Sequence, residues 1–413
     1  MRYIFVLSFI VFAASFTACN GNRPERAVEH SGRIVQWRND RTGIFHETGL
    51  KTSWLENEPA LLWQFDGLGY GHSSPVIANG RIFVTGMNEG IGTIFAFDLN
   101  GRLLNQREYG AEWDRNFDGS RGTITPSNGK LYFISGMGVL YCFDAHSLEE
   151  VWSLNLLEEF DAPNIVWGIS ESPLIVGDKV VVTPGGAEHN VVALNKHHGE
   201  LIWSTPGMGS QSAYCSALFI GEQEIPLIVQ MTGLYTIGIH ADTGEMLWAH
   251  SKANRHQVHG NTPLYSNNML LLTSGDGRGS TMLRLLHGGR EVEEVWFSET
   301  LSNTHGGMVK IGNYVFGSDN VSRTWFCVNW YTGEVMWRES GPAPGVIIAN
   351  KDMLYIYSTD GNIVLAKATP SAFNIVGDIS LGEDQHWAHP ILYNGMLIVR
   401  HNNRLMAFDI KNR

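Results

Sequence analysis

The sequence predicts an all-β fold, an eight-bladed β-propeller whose last blade is completed by a strand from near the N-terminus. Three observations predict it. A motif ending in tryptophan recurs: HADTGEMLW at Trp248, NKHHGELIW at Trp203 and NWYTGEVMW at Trp337, with weaker copies DAHSLEEVW at Trp152 and HGGREVEEVW at Trp296. Successive tryptophans are 51, 45, 48 and 41 residues apart, and a repeat of about 40–50 residues built from short strands is the sequence signature of a propeller blade. Finally, the last unit lacks a fourth strand, whereas ALLWQF (60–65) is a tryptophan strand with no strands before it. Pairing the two closes the ring and removes a free edge.

The chain begins with an export signal over 1–18. Arg2 supplies the positive n-region, and the apolar run that follows is too short for a membrane-spanning helix. It ends in Phe16-Thr17-Ala18-Cys19, small residues before a cysteine, which resembles the lipobox of bacterial lipoproteins with Cys19 as the lipidated residue. The alternative is an ordinary secretory signal with an incidental cysteine. Residues 19–32 are polar and contain Pro24, as a tether would, and 33–413 form a single propeller domain. On this reading the chain is held at the membrane by acyl chains alone, facing the periplasm or attached to the outer membrane.

Eight units follow, at 73–104, 124–152, 171–203, 215–248, 261–296, 305–337, 345–379 and 388–410. Each starts with small residues, often Ser or Thr before Pro, and then shows short alternating strands such as VVVT and LYIYS. Asn-Gly at 79–80, 128–129 and 394–395 predicts hairpin turns. In the tryptophan motif, Asp242, Thr243 and Gly244 read as a tight turn with glycine at its left-handed corner. The seventh unit has no tryptophan, so a seven-bladed ring is the rival count.

Charge and cysteine usage narrow the function classes. The formal net charge is −12, with no basic run, which excludes a nucleic-acid surface. Cys142, Cys215 and Cys327 are far apart and read as buried free thiols, and the absence of CxxC removes c-type haem attachment.

The A-x-D-x-x-T-G-x-x-x-W character of Ala193–Trp203, Ile239–Trp248 and Val328–Trp337 resembles the tryptophan-docking motif of pyrroloquinoline quinone (PQQ)-like propellers. Asp40-Arg41-Thr42-Gly43 and Glu47-Thr48-Gly49-Leu50 match the leader of the bacterial members, while Trp37-Arg38-Asn39 departs where they carry glycine. The resemblance implies the fold, with each tryptophan packed on the neighbouring blade. It leaves several activities open: a quinoprotein dehydrogenase binding PQQ with calcium and oxidising an alcohol or carbohydrate, or a cofactor-free envelope lipoprotein binding a partner protein. No adjacent cysteines exist to match the alcohol-oxidising members, and their calcium ligands have no counterpart here, so no catalytic residue is transferred.

Residues just before each innermost strand should converge at one mouth of the central channel. Aligning the units there brings His72, Arg121, Trp167, Tyr214, His259, His305 and His386 into register, with Glu171, His256, Asn303, Trp387 and His389 nearby. Polar residues at such places also satisfy loop backbone groups. A concave mouth lined by aromatic rings, arginine and histidine instead suits a ligand, a glycan or a cell-envelope protein. No HxH or HxxxH pair recurs, so no metal site is expected.

Overall fold

In the computed structural model, which describes residues 34–299, 301–383 and 387–412, the chain forms eight four-stranded antiparallel blades. The export signal, the tether and Cys19 lie outside the described residues, as does His386. The first blade comprises Val76–Ala78, Arg81–Asn88, Ile91–Asp98 and Leu103–Ala111, and the next five repeat that order. The eighth comprises Ile391–Tyr393, Met396–His401 and Arg404–Asp409, with Ala60–Asp66 as its outer strand. Pairing runs from Ala60↔Asp409 to Asp66↔Arg404, so the ring closes through the predicted N-terminal strand. Arg400 completes the junction. Its buried guanidinium donates to Ser73 Oγ and the Thr85 and Gly69 carbonyls of the first blade.

The repeated motif explains itself at the turn between the third and fourth strands. Asp98, Asp144, Asn195 and Asn329 end their third strands, and each side-chain oxygen accepts an N–H of the turn that follows. Such Asx bonds satisfy turn donors the ladder cannot reach. The corner residue has positive φ: 78° at Gly199, 76° at Gly244 and 71° at Gly333. In the second blade Leu148 holds it at 56° without being glycine, which accounts for the weaker motif there.

In every blade the third and fourth strands slip by one residue at the same place, as between Leu61 and Trp63 or between Ala193 and Leu194. A bulge bends and twists the strand carrying it, and here it directs the tryptophan sideways. Trp63, Trp152, Trp203, Trp248, Trp296 and Trp337 each donate through Nε1 to a carbonyl of the next blade's turn at 2.8–3.1 Å. The third-strand residue opposite most of them is small: Cys142, Ala193, Gly238, Cys327 or Ala407. All three described cysteines are buried and free, as expected.

The seventh blade is complete despite its weak sequence, which settles the count at eight. Its outer strand, Asn374–Ser380, has no tryptophan. Trp54 of the leader packs there instead, buried, with its backbone N–H donating to the Val376 carbonyl and its side chain against Gly377.

The leader also does something its position before the ring did not announce. Val35 pairs antiparallel with Ile77 of the first blade's inner strand. Ile44–Phe45 then pairs in parallel with Ala349–Asn350, adding a fifth, innermost strand to the seventh blade. The chain therefore rises along the channel toward the mouth, turns over Arg38–Gly43 and descends again. Arg38, Asn39, Asp40 and Arg41 all have positive φ (52°, 41°, 61° and 66°), an unfavourable run for residues bearing Cβ atoms. Buried guanidinium groups hold it in place. Arg38 donates to the Met308 carbonyl of the sixth blade at 2.6 Å, and Arg41 to the Ser172 and Pro173 carbonyls of the third at 3.1 and 2.7 Å. Gly307 makes room, since a Cβ there would lie 2.2 Å from Arg38 Nη1.

Candidate functional site

The plug turns a through-channel into a cup of about 380 Å³, with Trp37 of the leader among its lining residues. Five of the seven aligned residues, His72, Arg121, Trp167, Tyr214 and His305, lie on its wall. They come from the starts of four neighbouring blades and the sixth, so the propeller's symmetry, not sequence proximity, assembles them. His259 is not on the wall. It is buried behind Val258 and Gly260, its Nε2 held by the Gly233 carbonyl at 3.3 Å, because its side chain turns into the joint between blades. His386 lies outside the described residues, and its neighbour Trp387 is on the wall.

Two layers build the wall, and alignment missed the hydroxyls of the first and Phe117 of the second. The first is a belt of hydroxyls two residues ahead of the inner strand in each of the first four blades. His389 N–H donates to Ser74 Oγ, Ser74 N–H to Thr123 Oγ1, Thr123 N–H to Ser172 Oγ and Ser172 N–H to Ser216 Oγ, at 2.8–3.2 Å. Each hydroxyl accepts from the blade before it and lines the cup. The recurrent Ser/Thr at unit starts was the available signal. The second layer is an aromatic collar. Trp387 lies 4.6 Å from His72, 5.3 Å from His305 and 5.4 Å from Phe117, ring centre to ring centre, and Trp167 lies 5.9 Å from Tyr214. Phe117 sits in a loop at φ 59° and is 42% exposed. Arg121 props that loop by donating to the Asn116 and Phe117 carbonyls, which leaves its buried Nε without a partner.

The electrostatics are one-sided. Among the described residues lining the cup there is one cation, Arg121, and no carboxylate. Burial lowers Arg121 to about 10, still charged at neutral pH. Burial also pushes His305 down to about 4 and His389 well below its usual range, so both are neutral there. Glu171 is sealed behind the wall, bonded to the Thr183 N–H, and raised to about 7 by burial despite the nearby Arg41.

The buried histidines give stability a pH dependence. His259 is 1% exposed and lowered to about 4 by burial. A neutral buried imidazole binds its proton later than the unfolded chain does, so stability is full above pH about 6.5 and falls as pH drops toward 4, by about 3 kcal/mol for this residue. Urea midpoints measured across that window should decline, and His259→Gln should flatten the decline. An equal slope in the variant would assign the effect elsewhere.

Calcium is a poor match for this wall. It takes six to eight oxygens, carboxylates foremost, and the described lining offers none. Nor do the described residues contain any cluster of three acidic, histidine or cysteine side chains able to hold a metal. The described lining therefore does not fit a quinone–calcium pair.

Fold and site together define a tryptophan-docked, eight-bladed propeller with an aromatic-walled cup at its channel mouth. The chain belongs to the family described as outer membrane protein assembly factor BamB, whose model matches residues 90–339. No curated protein matches it in sequence. Among solved structures it is similar to BamB from Moraxella catarrhalis, at 14% identity and a TM-score of 0.62 over 85% of this chain and 99% of that one. It is also similar to the quinohemoprotein alcohol dehydrogenase from Comamonas testosteroni, at 12% identity and 0.65 over 91% and 80%. The computationally designed Ika8 protein matches at 13% and 0.59 over 85% and 99%. Likeness at these identities establishes the fold alone.

Proposed function

We propose that this chain is a cell-envelope binding module, tethered through a lipid on Cys19, that takes a small ligand or a projecting part of an envelope protein at its funnel mouth. One observation carries the reading: the leader turn spans the channel, with Arg38 bonded to the sixth blade and Arg41 to the third, and Trp37 joins the aromatic wall of a cup of about 380 Å³. A stopper suits retention better than conduction, and pockets of a few hundred Å³ with aromatic walls and few polar groups are the usual form of ligand sites. The family's description as an outer-membrane assembly factor supports the envelope location and keeps a protein partner in view.

The cup reports on itself, because Trp37, Trp167 and Trp387 line it. Titrating purified protein with a panel of mono- and oligosaccharides and with envelope-protein loop peptides should change tryptophan emission for at least one class. His72→Ala, Arg121→Ala and Trp167→Ala should melt within a few degrees of the parent and lose at least tenfold in affinity. Unchanged binding in all three would place the site on the outer surface of the blades. Addition of PQQ and calcium is expected to give no dye reduction with alcohols or sugars.

A further inference from the structure

We infer that the cup is built for an acidic sugar, a pyranose ring bearing a carboxylate. The inference rests on the binding-module reading above. It follows from what the wall can and cannot offer. Ser74, Thr123, Ser172 and Ser216 each use their oxygen to accept a backbone N–H from the neighbouring blade, and among the described residues their own protons have no protein acceptor. Tyr214 is in the same condition, accepting the Trp167 N–H at 3.2 Å. Five hydroxyl protons thus face one cavity, beside the Arg121 guanidinium whose Nε is buried and unpartnered. With no carboxylate on the described wall, a ligand must bring the acceptors.

The spatial arrangement separates a sugar from other acids. The hydroxyl protons are spread across four adjacent blades instead of focused on one point, which matches oxygens distributed around a ring. A simple aromatic acid would satisfy Arg121 and leave the belt unmet. The Arg121 guanidinium, its Nη2 engaged by the Phe117 loop, keeps a positive charge and an unpartnered Nε–H for a carboxylate, and the rings of Trp37, Trp167 and Trp387 offer flat faces for the apolar side of a pyranose. The neutral ring of His305 can accept a hydrogen bond from a sugar hydroxyl.

The test compares galacturonate and glucuronate, and their dimers, with galactose and glucose, using calorimetry and tryptophan emission on the full folded domain. At least one acid should bind at least tenfold more tightly than its neutral counterpart. Arg121→Gln should abolish that preference. Because Arg121 also supports the Phe117 loop, Ser172→Ala and Ser216→Ala serve as independent variants, each expected to weaken the acid severalfold while its binding of the neutral sugar changes less; each also leaves a buried backbone N–H without its acceptor, so a modest fall in melting temperature is expected alongside. Equal binding of acid and neutral sugar overturns the acidic assignment while leaving a binding cup. So does uptake of PQQ or an aromatic acid with no response to any uronate. Silence to every probe in both the saccharide and peptide panels defeats the binding-module reading itself.

Discussion

Deleting residues through Asp66 should leave a ring that cannot close. The eighth blade would keep three strands and expose the edge of Arg404–Asp409, which Ala60–Asp66 now covers over six paired positions. Trp63 would vanish with its bond to the Leu99 carbonyl and its cover over Gly101, as would Phe65, packed 4.8 Å from Phe97. Losing two large aromatic side chains and a strand should cost roughly 5 kcal/mol or more, comparable to the whole stability of many domains. The expected result is aggregation, or a melting transition lowered by tens of degrees and broadened. A synthetic peptide spanning residues 58–68, added during refolding of a chain lacking only those residues, should restore part of the loss. A truncated chain melting like the parent would show that closure is not what holds the ring.

The second large effect lies at a single blade joint. Trp203 is 7% exposed, donates to the Ala241 carbonyl at 3.1 Å and covers Gly244. Trp203→Ala should cost about 3–5 kcal/mol in denaturant unfolding, because the cavity it leaves lies between two rigid sheets that cannot collapse into it. Trp203→Phe should recover most of the packing and lose mainly the hydrogen bond, about 1 kcal/mol. Gly244→Val attacks the same joint from the other side. Its φ of 76° is unfavourable to a β-branched residue, and a Cβ would stand 2.7 Å from the Trp203 ring. If Trp203→Ala and Gly244→Val each cost under 1 kcal/mol, the tryptophan is a covering residue and not a fastener.

Residues whose roles depend on local chemistry were legible. Gly244 announces its turn because a left-handed corner favours glycine wherever it falls in the ring, and its φ is 76°. Trp63 could be assigned to the last blade because the strand count left one place for it. His72, Arg121, Trp167, Tyr214 and His305 were found by the same symmetry, since equivalent positions must face the same channel. His259 shows the limit of that reasoning. Register places its backbone at the mouth, but the side chain rotates into the joint behind Gly260, and register carries no information about that rotation.

The sequence by itself determined the architecture. A recurring tryptophan motif and a spare N-terminal strand specify a closed propeller, because each is satisfied by contacts within a blade or with the next one; the complete seventh blade then settled eight against seven. Only the tertiary structure decided that the ring is stoppered. Arg38 and Arg41 reach carbonyls of the sixth and third blades, more than 130 residues away in the chain. Trp37 becomes part of the cup only because those distant bonds hold a left-handed turn that no local preference favours. A contact across the axis belongs to no repeat. It therefore leaves no periodic trace in the sequence, although it converts a channel into a cup.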